Sequence, residues 1–181
     1  MSMRSSSACW GTKSAMNLAS SSAEPDFVSF TSSLIGLPVS HIWRGHGSAI
    51  FLEFGALSPG RTRRDGSAGN PQGVWTLMIE WSWRIEGKRR IWCGSSSDET
   101  RWPRAFAYLV GASVESVSLY GRLPEISMDM SNGLHILSMM TAVGDPEWGL
   151  IQRSGRDSTS IDVRAGRLHL DTRPSYPIMR S

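Results

Sequence analysis

Residues 75–86 constrain this chain more than any other stretch. Trp75, Leu77, Ile79, Trp81, Trp83 and Ile85 alternate without a break with Thr76, Met78, Glu80, Ser82, Arg84 and Glu86. Side chains of an extended backbone point to opposite faces in turn, so this pattern predicts one long strand with one face buried and the other solvated. Glu86-Gly87-Lys88-Arg89 then turns the chain into a partner strand ending near Cys93. A half-buried strand needs a core beneath it. With 181 residues, 40% of them hydrophobic, there is enough apolar material, since chains of this length bury roughly 70% of their unfolded surface. The expected class is α+β, mainly antiparallel sheet with one or two helices.

The body also repeats itself. Leu34-Ile35-Gly36 with Val39 and Ile42 recurs as Leu109-Val110-Gly111 with Val114 and Val117, and Ile50, Leu52, Glu53 and Phe54 recur as Ile126, Met128, Asp129 and Met130. Two copies at a long period describe a duplicated supersecondary unit and not a solenoid, which needs three or more repeats. Each unit opens with a helix. In the second, Ser97, Asp98, Glu99 and Thr100 supply the cap and first turn, Pro103 suits the first turn, and Trp102, Ala105, Phe106 and Leu109 share one face before Gly111 stops it. The first copy repeats the plan with Asp26, Phe27, Phe30, Leu34 and Gly36. Strands follow: Val39 to Arg44 and Ser48 to Phe54 in one copy, Val114 to Tyr120 and Ile126 to Met130 in the other, with Asn132-Gly133 as a hairpin signal before Leu134.

These patterns divide the chain into three. Residues 1–24 read as a disordered Ser-rich leader, 25–152 as one domain of two tandem units (about 25–93 and 97–152), and 153–181 as a disordered Arg-rich tail. The Gly- and Pro-rich segment 55–73 reads as a flexible loop. The leader faintly resembles an organelle transit peptide, or is an over-extended start with Met16 as the true first residue. Two cysteines, Cys9 and Cys93, make no disulfide framework and fit a reducing cytoplasm. No apolar run reaches the length of a membrane-spanning helix. The net charge of +3 argues little for nucleic acid, because residues 27–151 balance at 11 basic and 11 acidic residues and the surplus lies in the tail.

Chemistry is sparse. There is no GxGxxG, P-loop, GxSxG or HExxH motif and no pair of CxxC spacings, so no cofactor, metal or catalytic set is assigned and the reading leans away from an enzyme. Seven of the eight tryptophans lie in the body. Trp75, Trp81, Trp83 and Trp102 are expected in the core, whereas Trp43 and Trp92, each beside arginine, are expected as exposed anchors for a protein partner. Glu80, Arg84 and Glu86 form a charged stripe on the polar face of the long strand, and the Pro turn 144–148 presents Asp145 and Glu147 at a sheet edge. The candidate binding residues are therefore Trp43, Glu80, Arg84, Trp92, Asp145 and Glu147. A separate possibility uses Glu53 and Asp129, at matching repeat positions, with His41 or His135 in a cleft between the units, although alternation with apolar neighbours points both acids to solvent.

The repeated Leu-(Ile/Val)-Gly-x-x-Val-x-x-(Ile/Val) phrase, the acidic-apolar strand, Asn132-Gly133-Leu134 and Glu147-Trp148 together resemble an uncharacterised family of small bacterial proteins with a domain of unknown function. They are also loosely similar to immunity proteins of bacterial toxin systems. The resemblance covers residues 27–151 and carries no catalytic residues. It implies a protein-interaction module that neutralises a partner protein; the alternative is a small-ligand-binding protein or enzyme using the cleft between the units.

Overall fold

The computed structural model describes residues 23–142, 147–155 and 157–174. It is mostly antiparallel sheet with two short helices, as the patterning predicts. Helix α1 (Ala23–Thr31) leads through a short 3₁₀ turn to β1 (Val39–Arg44), β2 (Ile50–Phe54), β3 (Trp75–Ile79), β4 (Trp83–Gly87) and β5 (Arg90–Gly94). After a second 3₁₀ turn come α2 (Trp102–Leu109), β6 (Val114–Tyr120), β7 (Glu125–Met130), β8 (Leu134–Ser138), β9 (Trp148–Ser154), β10 (Asp157–Arg164) and β11 (Arg167–Pro174). Six strands form one sheet in the order β1-β2-β3-β9-β10-β11, and five form another in the order β5-β4-β8-β7-β6. Among the described residues no helix is long and apolar enough to cross a membrane.

The twelve-residue alternating stretch is not one strand. It is cut into β3 and β4, which belong to different sheets. The alternation survives the cut because the chain crosses in phase: Trp75, Leu77, Ile79, Trp83 and Ile85 are all buried. Trp81, at the crossing, is 56% exposed instead of core. The reason is that period two reports which face is buried, and nothing about which strand lies alongside.

Each sheet takes strands from both halves of the chain. β3 is flanked by β9, and β8 by β4, so the strands that follow each β-triple pair with the other triple. The halves are also joined by reciprocal backbone bonds. Gly36 N–H donates to Val114 C=O and Gly111 N–H to Val39 C=O, both at 2.8 Å, while Val39 N–H reaches Ala112 C=O and Val114 N–H reaches Leu37 C=O. Gly36 and Gly111 sit at φ +85° and +90°, a conformation that only glycine adopts cheaply. Both β1–β2 and β6–β7 carry a register shift at their first residues, after Val39 and after Val114.

One apolar cluster spans both halves. From α1, Phe27 meets Trp148 edge-on at 6.2 Å and Phe30 meets Trp75 at 4.9 Å; from α2, Trp102 meets Trp83 at 5.0 Å. The second helix buries the predicted face, Trp102, Ala105 and Leu109, but starts later than expected: Asp98, accepting from Thr100 N–H, caps the preceding 3₁₀ turn, and α2 follows from Arg101 with no side-chain cap. Edge-to-face ring pairs of this kind add about 0.5–1.5 kcal/mol each beyond area burial.

The expected tail from residue 153 is corrected by the fold. β9 runs to Ser154, and β10 and β11 pair with each other from Asp157 to Pro174, so ordered structure extends to residue 174. β11 closes the sheet edge, and β10 lies between it and β9. Their apolar burial is short, Ile161 and Val163 on one face, while the buried residue between them on the other is the acid Asp162. Ala165 and Gly166, both at positive φ (48° and 70°), form the two-residue hairpin turn. Segment 55–73 is likewise folded back on itself, with Ser58 and Gln72 exchanging backbone bonds at 2.8 and 2.9 Å. The leader over residues 1–22 lies outside the described residues.

Candidate functional site

Strand β5 edges the five-stranded sheet, and α2 packs beside it. Between them Arg90, Ile91, Trp92, Thr100, Arg101, Arg104 and Ala105 line an open cavity of about 360 Å³. Local sequence builds this site in three ways. The β4–β5 pairing slips by one residue, Ile85 facing Cys93 but Glu86 facing Ile91, so Trp92 is the extra residue of a bulge that re-aims it. Arg101 and Arg104 are three apart at the start of α2, hence on one side of it. Ala105 is small and buried and leaves room between them. The Arg90 guanidinium lies 4.7 Å over the Trp92 ring, and Trp92 packs on Tyr108 of α2 at 4.8 Å between centroids.

Three arginines give the groove its positive charge, and no salt bridge among the described residues neutralises them. Arg90, Arg101 and Arg104 are all exposed, and among the described residues none has a carboxylate partner. Of the two neighbouring acids, Glu99 is engaged elsewhere, and Asp98 bonds first to Thr100 and also feels the charge of Arg101. Glu99 holds Arg44 through both oxygens, and the Asp98 carboxyl caps the 3₁₀ turn, where the Thr100 hydrogen bonds keep its pKa below the usual carboxylate value. Beneath the groove Cys93 is buried and its thiol is pushed up to about 11 by burial, so it supplies no nucleophile there.

Of the residues expected to bind, Trp92 alone among the described ones lines this groove. Trp43 is no exposed anchor. It stacks flat on Phe51 at 3.8 Å and donates its indole N–H to Glu53 at 3.0 Å. Glu80 sits at the crossing between sheets, donating its backbone N–H to Glu147 C=O. The crossing interrupts the expected charged stripe, leaving Arg84 paired with Glu86 at 2.7 Å. Glu147 is buried, not displayed at an edge. Asp145 lies outside the described residues. The residues sequence reasoning missed are Arg101 and Arg104. Their signal was their spacing with Tyr108 on the predicted helix, beside its apolar face, but the strand that this face meets was not legible.

The paired-acid arrangement does not form. Glu53 lies in the six-stranded sheet and Asp129 in the other, with no shared partner. Nor is Glu53 solvated. It is 1% exposed and accepts from Trp43 Nε1, from Gly73 N–H at 2.9 Å and from the Thr76 hydroxyl at 2.5 Å. Arg153 bridges Thr76 and the Gly73 carbonyl at 2.6 and 3.1 Å and approaches the Glu53 carboxylate at 3.9 Å. The burial of Glu53 comes from the far end of segment 55–73, at Gly73, and from Arg153 of β9, neither of them a near neighbour in sequence.

Asp129 is half-exposed, accepting from Ser116 at 2.5 Å and meeting His135 Nδ1 at 2.6 Å. Those bonds, Ser116 first, hold its carboxyl below the usual range. Because the acid sits between serine and histidine, the histidine does not reach the hydroxyl, and the trio lacks the order a nucleophile and its base require. Among the described residues no three His, Cys, Asp or Glu side chains gather as metal ligands.

Three comparisons with known proteins, by family model, by curated sequence and by solved structure, find no match to this chain.

Proposed function

We propose that this protein is a protein-interaction module, and that the groove between β5 and α2 receives an acidic segment of its partner. The observation that carries this reading is the set of three exposed guanidinium groups, of Arg90, Arg101 and Arg104, none of them in a salt bridge among the described residues, around a cavity also lined by Ala105 and Trp92. Arginine and aromatic residues are the types enriched at protein interfaces. Ile91 and Tyr108, 60% and 55% exposed, flank the groove with apolar surface. That mixture suits carboxylates interspersed with apolar side chains better than a phosphate backbone, which asks for an extended basic track. The loose similarity to immunity proteins gives the partner a class, a toxin neutralised in the cytoplasm of a bacterium. The reciprocal backbone bonds around Gly36 and Gly111, and the matching register shifts, support reading the halves as two copies of one unit that have exchanged strands.

The test is fluorescence anisotropy with the full chain and a fluorescein-labelled twelve-residue peptide alternating Glu and Leu. Binding should weaken at least tenfold in R101E/R104E and steadily with added salt, while R122E, in the β6–β7 turn, leaves it unchanged. Equal binding by the charge-reversed and parent proteins would remove the groove as the site. Tighter binding of a single-stranded oligonucleotide of the same length would replace the protein partner by nucleic acid.

A further inference from the structure

Among the described residues four strands end a sheet. β1 and β6 face each other through the 36–39 and 111–114 bonds, and β5 is short and bulged. β11 is different: eight residues long, regular in register throughout, and at the outer edge of the six-stranded sheet. Its two-residue turn fixes which backbone groups are used. Arg164 and Arg167 close the hairpin as a hydrogen-bonded pair, so residues 167, 169, 171 and 173 bond to β10, and Leu168, Leu170 and Thr172 direct N–H and C=O away from it. Pro174 has no N–H and ends the available edge. No lysine guards this strand, and Leu170, at its middle, is 59% exposed.

We infer that β11 pairs antiparallel with β11 of a second copy, in the register that sets Leu170 against Leu170. That register alone uses every outward group. It makes two bonds between the Leu170 residues and two at each Leu168–Thr172 pair, six in all. A register centred on Thr172 would set Leu170 against Pro174 and lose a bond on each side. On the outer face it sets His169 of each copy directly across from Asp171 of the other, with the Arg167 and Arg173 guanidinium groups diagonal to that carboxylate. Asp171 already holds Arg173 at 2.6 Å, which offsets the one like-charged pairing, Arg167 with Arg173. Strand addition thus joins two six-stranded sheets through main-chain bonds, with leucine against leucine at the centre.

Sedimentation velocity of the full chain between 1 and 500 µM should show the 19.9 kDa monomer giving way to dimer. Leu170→Lys places two charges face to face, and Thr172→Pro removes an outward N–H that β10 does not use. Both should stay monomeric over that range with an unfolding midpoint within about 2 °C of the parent. The register is read by cross-linking: in a Cys9→Ser background, Leu170→Cys should form a covalent dimer on oxidation, whereas Thr172→Cys, whose counterparts would lie too far apart for a disulfide, should not. A parent that stays monomeric at 500 µM overturns the inference. So does dimerisation of the Leu170→Lys and Thr172→Pro variants, or Thr172→Cys linking as well as Leu170→Cys.

Discussion

Replacing Glu53 by Gln removes one charge and one acceptor from a site that is 1% exposed. The carboxylate takes Gly73 N–H and the Thr76 hydroxyl on one oxygen and the Trp43 indole N–H on the other. An amide can accept on one side only. If its oxygen serves Gly73 and Thr76, its NH₂ faces the Trp43 N–H, donor against donor. A frustrated donor costs about 1–3 kcal/mol, and Trp43, being half-buried, recovers part of that from water. The bonds to Gly73 and Thr76 fall from charge-assisted to neutral, about 1 kcal/mol each. Arg153 loses its counter-charge, but at 3.9 Å and 26% exposed that adds less than about 1 kcal/mol. The sum is about 3 kcal/mol, or about 6–12 °C in Tm for a domain of this size. Asp129→Asn, at the matching position of the other half but half-exposed, should cost less than about 1 kcal/mol. Urea unfolding followed by tryptophan fluorescence compares the two. If Glu53→Gln costs no more than Asp129→Asn, the buried carboxylate is not what fastens segment 55–73 and β9 to β2.

Asp129 titrates low in the fold because Ser116 and then His135 hydrogen-bond its charged form. It therefore stabilises the protein above the ordinary carboxylate pKa of 3.8, and that contribution is lost as pH falls through its lower folded value; unfolding measured from pH 6 to pH 2 should be less pH-dependent in Asp129→Asn. In a Cys9→Ser background, Cys93, buried with its thiol raised to about 11 by burial, should react with a disulfide reagent at pH 8 at least a hundredfold more slowly in the native protein than in 6 M guanidinium, and a rapid native reaction would contradict its burial. Gly73→Ala would bring a Cβ within 2.5 Å of the Phe54 carbonyl oxygen and 2.6 Å of its nitrogen, so it should destabilise by at least about 2 kcal/mol; a neutral effect in the same urea assay would show that the 55–73 segment can shift at no cost.

The strand-rich class, the buried face of the second helix, the turn glycines and most of the buried strand face were legible in the chain itself. Those features rest on local rules: alternation buries Leu77 and Ile85 whatever lies beside them, and Gly111 stops a helix wherever the helix goes. Partners were not legible. Trp81 fits the alternation as well as Trp83 does, yet only the crossing between sheets decides that one is exposed and the other 1% exposed. Glu53 reads as a solvated acid until segment 55–73 and Arg153 close over it. Residues 157–174 read as a tail because only Ile161 and Val163 there are buried apolar residues, too short a run to show a period. The arginine groove was least visible of all, since Arg90 and Arg101 belong to elements that meet only when α2 packs on β5. Periodicity is written into the covalent order of residues, which fixes the direction of each side chain relative to its own backbone. The neighbour that each side chain meets depends on strand order and crossings, and these are decided by which packing of the whole chain closes one common core.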